Sequence, residues 1–290
     1  MSEHLDQITT LVLPEADGDT LARAARALGL REPQVLSAGR AIEGASSAAG
    51  SADARAVLEA AGIRADVCVQ LRENRRKTAL VCDMDSTLIS QECIDELADF
   101  AGVKDRVSAI TERAMRGEIG FEGALTERVG LLEGLPVSVL QACYAQRITV
   151  NAGARALART MAAHGAKTLI VSGGFTFFSG RIADTCGFAD HQANVLLDEG
   201  GALTGEVARP ILGREAKRDA LMALTHGQPD TALCIGDGAN DLAMIEAAGL
   251  GLAFYAKPAV AAAAHSAITC TDLRSALYFQ GYADAEIVED

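Results

Sequence analysis

Short apolar runs of four or five residues recur from Thr78 onward, and stretches with apolar residues every three or four positions follow them. Runs of that length bounded by turn residues predict buried strands, and the longer rhythm predicts amphipathic helices. The strands fall at residues 80–83, 167–172, 232–235 and 250–254, with helices over 152–164, 175–186, 214–224 and 241–248. Strand followed by helix, repeated, predicts an α/β class: a doubly wound, mostly parallel sheet. Residues 91–148 break the rhythm with helical patterns only, over 95–100, 104–116, 121–132 and 137–146. An insert placed just after the first strand would lie over the crevice where such sheets bind ligands, as a helical cap. Two further runs, 193–197 and 203–207, flank Asp198-Glu199-Gly200-Gly201 and predict a hairpin at a sheet edge.

Residues 1–75 follow a different pattern and predict a small α+β domain ahead of a core over 76–290. A strand is expected at 9–13, a helix from Asp19 to Leu28, and a second strand at 66–70. The Ala, Gly and Ser residues of 44–52 suggest an irregular loop, with Asp53 as N-cap of a helix over 53–61. Arg72, Arg75, Arg76 and Lys77 read as a solvated connector.

Composition narrows the classes. The 290 residues are 49% hydrophobic with no Trp, which suits helices packed on a parallel sheet. A net charge of −13 disfavours nucleic acid and anionic membranes as partners, though it allows a small phosphorylated substrate. The seven cysteines are scattered without a C-x-x-C pair, which suits buried thiols in a reducing compartment. The acidic N-terminus lacks signal-peptide character, and no apolar run approaches the ~20 residues of a membrane span. A cytoplasmic location is therefore expected.

The candidate chemistry sits at strand ends. Asp83-Met84-Asp85-Ser86-Thr87 places two carboxylates two residues apart, so both face one space. Acids held together there would repel unless a cation or proton separates their roles. Ser172-Gly173-Gly174 offers a hydroxyl and bare amides suited to phosphate oxygens. Gly236-Asp237-Gly238-Ala239-Asn240-Asp241 gathers acids on a glycine-rich turn, which suits a hard cation, Mg2+ above all. Lys217 lies on a predicted helix, where a lysine is ordinarily solvated.

In that order, Asp-x-Asp, Ser, Lys and Gly-Asp-x-x-Asn-Asp resemble the haloacid-dehalogenase-like superfamily of phosphotransferases, and within it the phosphoserine phosphatases. The resemblance covers roughly residues 76 to 282. It implies a Rossmann-like core and Mg2+-dependent hydrolysis of O-phospho-L-serine, the last step of serine biosynthesis. Asp83 would be the nucleophile and Asp85 the proton donor and acceptor. Mg2+ would be held by Asp83, the Asp85 backbone carbonyl and Asp237. The resemblance also implies that Ser172, the Gly173 amide and Lys217 balance phosphoryl charge, with Asn240 and Asp241 orienting phosphate and ammonium. In the cap, Glu92 and Arg128 match residues that bind the substrate's amino and carboxylate groups, and Met115 and Phe121 match residues that shield the pocket. Residues 1–75 weakly resemble degenerate ACT-like domains, which extends the implied partners to a homodimer through that segment. A phosphatase for another small ester, such as phosphoglycolate or phosphoethanolamine, would share the core and differ in the cap. An amino-acid-sensing module with a vestigial core is the rival from another class; the intact acids and Lys217 count against it.

Overall fold

The computed structural model describes residues 7–289. The described residues begin with β1 (Gln7–Val12), α1 (Gly18–Ala27), β2 (Arg31–Ser37), β3 (Ala41–Ala45), α2 (Ser51–Ala60) and β4 (Asp66–Leu71). These strands pair antiparallel in the order β2-β3-β1-β4. Their side chains alternate between faces, as a pleated strand requires. Leu11, Ile42 and Val67 meet Leu21, Ala24, Ala54 and Leu58 of the two helices. Val12, Ala41 and Cys68 point the other way into the main core, beside Leu277 and Tyr278.

That sheet is docked by polar groups as well. The fully buried Asp66 carboxylate accepts from the backbone of Thr269, Cys270 and Thr271 and from both threonine hydroxyls. Arg75 forms a two-pronged bond to buried Glu43, at 2.6 and 2.9 Å.

The second, six-stranded sheet contains β5 (Ala79–Cys82), β6 (Lys167–Phe175), β7 (Asp190–Asn194), β10 (Ala232–Gly236), β11 (Leu250–Phe254) and β12 (Ser266–Ile268). It is parallel throughout, in the order β12-β11-β10-β5-β6-β7. Between β5 and β6 the insert forms α3 (Cys93–Phe100), α4 (Lys104–Met115), α5 (Phe121–Gly130) and α6 (Ser138–Arg147), followed by α7 (Ala154–Ala163). The remaining crossings use α8 (Thr176–Cys186), α9 (Arg214–Leu224), α10 (Leu242–Ala247) and α11 (Pro258–Ala263), and α12 (Ser275–Phe279) follows β12. One sheet face, with Leu80, Ile170 and Leu233, packs on Leu157, Met161 and Phe178. The opposite face, with Val81, Leu169 and Cys234, packs on Leu221, Met244 and Ile245. Among the described residues, no helix is long and apolar enough to cross a membrane.

Several elements differ from the sequence expectation. The irregular loop expected at 44–52 is confined to residues 46–50: Gly44 and Ala45 belong to β3, and α2 starts at Ser51. Asp53 is therefore not the N-cap. It lies within the first turn, where Oδ2 accepts from the Ala49 amide, and Gly50 occupies the cap position. The basic run is solvated only in part, with Arg72 and Arg76 exposed. Lys77 is buried with its Nζ on the carbonyls of Asn74 and Asp230, and Arg76 reaches Gly281 and Glu286. The hairpin is made of β8 (Leu196–Glu199) and β9 (Ala202–Val207), a separate pair off the main sheet. Its ties run to the insert instead: Gly134 and Val137 donate amides to Leu203 and Gly201, and Leu203 donates to Leu135. β2, β7 and β12 carry too few apolar residues, or are too short, to stand out by periodicity.

Candidate active site

Strand order reverses at β5, with β6 and β7 to one side and β10, β11 and β12 to the other. Loops from the carboxyl ends of neighbouring strands diverge at such a point and leave a crevice. Asp83 and Asp85 follow β5, Ser172 and Gly173 end β6, and Asp237 and Asn240 follow β10. All six line one cavity of about 480 Å3. The insert closes its other side with Glu92, Phe121 and Arg128.

The floor is tightly tied. Asp83 Oδ2 lies 2.8 Å from Lys217 Nζ, while Oδ1 accepts from the Met84 amide at 2.7 Å. Lys217 is fully buried and also donates to Asp241 Oδ1 at 2.6 Å. The other oxygen of Asp241 accepts from the Gly238 amide at 3.0 Å. A Cβ at Gly236 would lie 2.4 Å from Asp241 Cγ, so only glycine allows this carboxylate under the end of β10. Asp85 Oδ1 accepts from the Cys93 amide at 3.2 Å. A Cβ at Gly174 would lie 2.5 Å from Asp85 Oδ2, so any side chain there would displace the Asp85 carboxylate. Ser172 Oγ accepts from the Gly174 amide at 2.9 Å, and Thr87 donates to Asp237 Oδ1 at 3.3 Å. Ser86 adopts a φ of 53°, a conformation unfavourable for a residue with a Cβ, and donates to Glu92 Oε1 at 2.7 Å.

The charges do not balance. Asp83, Asp85, Asp237 and Asp241 gather around the ammonium of Lys217. Burial pushes the Asp83 carboxyl well up, reinforced by Asp241 and opposed by Lys217. Burial and then Glu92 raise Asp85 to about 7. Burial and then Asp241 raise Asp237 to about 6. Burial alone would lower Lys217, but Asp83 and Asp241 outweigh it and hold the ammonium above the ordinary lysine range. One oxygen from each of Asp83, Asp237 and Asp241 lies within 4.8 Å of the others. An all-oxygen set with surplus negative charge fits a hard divalent cation such as Mg2+. Asp83 and Asp241 each also bond Lys217 and one backbone amide, while Asp237 accepts only from Thr87 among the described residues.

On the insert, Arg128 is half-buried on α5, with Nε on the Ala124 carbonyl at 3.2 Å and Nη1 near Thr111 Oγ1 at 3.5 Å. Among the described residues its Nη2 has no hydrogen bond. Phe121 begins α5 above the end of β6: a Cβ at Gly173 would lie 3.1 Å from its Cζ.

The structure thus brings together Asp83, Asp85, Glu92, Phe121, Arg128, Ser172, Gly173, Asp237 and Asn240. Lys217 and Asp241 lie behind the cavity wall and reach it through Asp83. Met115 ends α4, and its side chain lies outside the described residues. The sequence reading missed Arg214, an exposed residue at the start of α9 that lines the same cavity. Its place one turn before Lys217 was a usable signal. Ile94, Thr111 and Leu125 also line the cavity, and as ordinary insert residues they carried none.

Fold and site together define a hydrolase of the haloacid dehalogenase-like class, and the model of haloacid dehalogenase-like hydrolases matches residues 77–249. A phosphoserine phosphatase of Polaromonas sp. is 48% identical over 187 residues, covering 61% of this chain and 79% of that protein. Another, from Archaeoglobus fulgidus, is 46% identical over 203 residues, which is 69% of this chain but 59% of that protein's own length. A crystal structure of a probable phosphoserine phosphatase from Vibrio cholerae superposes with a TM-score of 0.79 at 29% identity, covering 99% of this chain and 90% of that one. The chain belongs to the haloacid dehalogenase-like hydrolases and, among them, to the phosphoserine phosphatases.

Proposed function

We propose that this protein hydrolyses O-phospho-L-serine to L-serine and phosphate through an aspartyl-phosphate. The observation that carries the substrate assignment is that Glu92 and Arg128 line the same cavity as Asp83 and Asp85. An amino acid zwitterion calls for one anion and one guanidinium, and Arg128 keeps donors free for a carboxylate.

In the first step a carboxylate oxygen of Asp83 attacks phosphorus and the bond to the serine oxygen breaks. Asp85, protonated because burial and Glu92 raise it to about 7, gives its proton to that oxygen. In the second step Asp85, now ionised, takes a proton from water as the water attacks the phosphoryl group. The bond to Asp83 breaks, and phosphate leaves with both carboxyls restored. Ser172 and the Gly173 amide supply donors to the phosphoryl oxygens, and Lys217 stabilises the charge on Asp83. Asp83, Asp237 and the Asp85 carbonyl would hold Mg2+, which when bound supplies positive charge against the phosphoryl oxygens. Phe121, at the mouth, limits water entry.

We assign residues 1–75 to a separate α+β domain and 76–290 to the catalytic core, with 91–148 as its cap. The separate antiparallel sheet, with its own helices, supports that division. All seven cysteines are buried, which suits the reducing compartment of the cytoplasm.

The test is turnover by the purified chain with added Mg2+ on phosphoserine, phosphothreonine, phosphoethanolamine and phosphoglycolate. Phosphoserine is expected to have the highest kcat/KM, and a preference for an ester lacking the amino acid group would overturn the assignment. Arg128→Ala should lower kcat/KM for phosphoserine by about 10- to 100-fold, the worth of a charged hydrogen bond, and change an aryl phosphate only a few-fold. Equal losses on both esters would remove the case for carboxylate recognition.

The raised Asp85 sets a pH dependence of known sign. Its acid form persists up to about 7, so single-turnover phosphoryl transfer from phosphoserine should decline as pH rises through that value. An aryl ester, whose leaving group departs without a proton, should show a flatter profile. Identical profiles for the two esters would mean that Asp85 does not protonate the leaving oxygen.

A further inference from the structure

Asn194, the last residue of β7, is buried, and none of the roles above uses it. Its amide nevertheless touches two parts of the site. Nδ2 donates to the Gly173 carbonyl at 2.9 Å and to the Leu212 carbonyl at 3.4 Å, and Oδ1 accepts from the Leu212 amide at 2.7 Å. Gly173 belongs to the strand end that offers phosphate its amide and the Ser172 hydroxyl. Leu212 leads directly into α9, which carries Lys217.

The need for such a tie follows from the sheet. Pairing between β6 and β7 is regular through Val171 and resumes only at Phe175 opposite Asn194. The stretch 172–174 therefore leaves the regular ladder where it must hold phosphate. The loop before α9 belongs to no sheet at all. Both segments also lie beneath one ring: a Cβ at Gly173 would lie 3.1 Å from Phe121 Cζ, and one at Gly213 3.4 Å from Phe121 Cδ1.

We propose that Asn194 is a positioning residue, joining the phosphate-binding end of β6 to the entry of the lysine helix so that both face Asp83 in register. This inference rests on the phosphatase reading above. A side-chain amide suits the position because it donates to two carbonyls and accepts from an amide at once, filling for both segments the role of the missing ladder bonds.

The experiment compares Asn194→Asp and Asn194→Ala with the wild-type enzyme. Asn194→Asp keeps the acceptor for Leu212 and loses both donated bonds. A small displacement of a positioning group costs up to about 100-fold in rate. We expect kcat on phosphoserine to fall by about 30-fold and inhibition by inorganic phosphate to weaken by about tenfold. Inhibition by L-serine, held by Glu92 and Arg128, should stay within twofold of wild type. Ser179→Ala is the control for general loosening, because it breaks the 2.9 Å bond from α8 to His191 on the same strand β7. It should leave phosphate inhibition unchanged. Asn194 variants with wild-type kcat and phosphate inhibition, or a Ser179→Ala loss of the same size, would overturn the proposal. If neither Asn194 variant folds, hydrogen exchange on the wild type decides: phosphate should slow exchange of the Leu212 amide, and unaltered exchange counts against the tie. A wild type that neither hydrolyses phosphoserine nor binds phosphate would instead overturn the functional reading itself.

Discussion

Asp83→Asn is expected to reduce phosphoserine turnover by at least about 10^4-fold, the scale seen when a nucleophile is removed from a preorganised site. The amide has no charge to direct at phosphorus and cannot form the acyl phosphate. The same exchange relieves the crowding of acids around Lys217 at little change of volume, so the protein should stay folded. It follows that substrate affinity, read by equilibrium binding of phosphoserine, should survive while the trapped phosphoenzyme disappears. Turnover within tenfold of wild type, or a phosphoenzyme of undiminished yield, would show that another group attacks phosphorus.

Lys217 should matter to the fold as much as to the reaction. Its ammonium is fully buried between Asp83 and Asp241, at 2.8 and 2.6 Å. Removing one member of a buried ionic cluster leaves the others without compensation, at a cost of about 3–5 kcal/mol. Lys217→Met keeps the apolar stem and removes the charge, so its Tm near neutral pH, with metal chelated, should fall on the order of 10 °C. The pH dependence of that loss has a definite direction. The lysine is raised above its ordinary 10.5, so its contribution in the wild type is complete below that value and is lost only in strong alkali. In the variant the uncompensated acids are raised further, so acidification, which protonates them, should narrow the gap to wild type. Added Mg2+ should narrow it as well, by supplying positive charge to Asp83. A variant with wild-type Tm in chelator would show that the cluster adds nothing to stability, and a gap that widens on acidification would contradict the charge argument.

Much of the site was legible because its chemistry is local. Asp83 and Asp85 are two residues apart at the end of an apolar run, and a strand turns both toward the same crevice. Gly236, Asp237 and Asp241 lie within one turn, and the glycine needed beside the Asp241 carboxylate is itself part of the motif. Glu92, Phe121 and Arg128 were harder. Each is an unremarkable helix residue by pattern, and resemblance rather than periodicity pointed to them. Asn194 escaped because a single Asn at the end of a polar strand is ordinarily a surface residue, and Arg214 carried only the signal of lying one turn before Lys217.

The central strands could be read from the chain because they are buried on both faces and must be apolar throughout, as Ala79–Cys82 and Leu250–Phe254 are. The edges could not, because a strand covered on one side tolerates polar residues, as Asp190–Asn194 does. Sequence alone thus determined the α/β architecture, the helical insert and the order of the reacting groups, since these depend on spacings of a few residues. The tertiary structure decided that Lys217 is buried under Asp83 rather than solvated, that Asp66 and Arg75 fasten the N-terminal sheet, and that Asn194 bridges two loops. Each of those contacts joins residues far apart in the chain, and their meeting depends on strand order and helix docking, which no local pattern encodes.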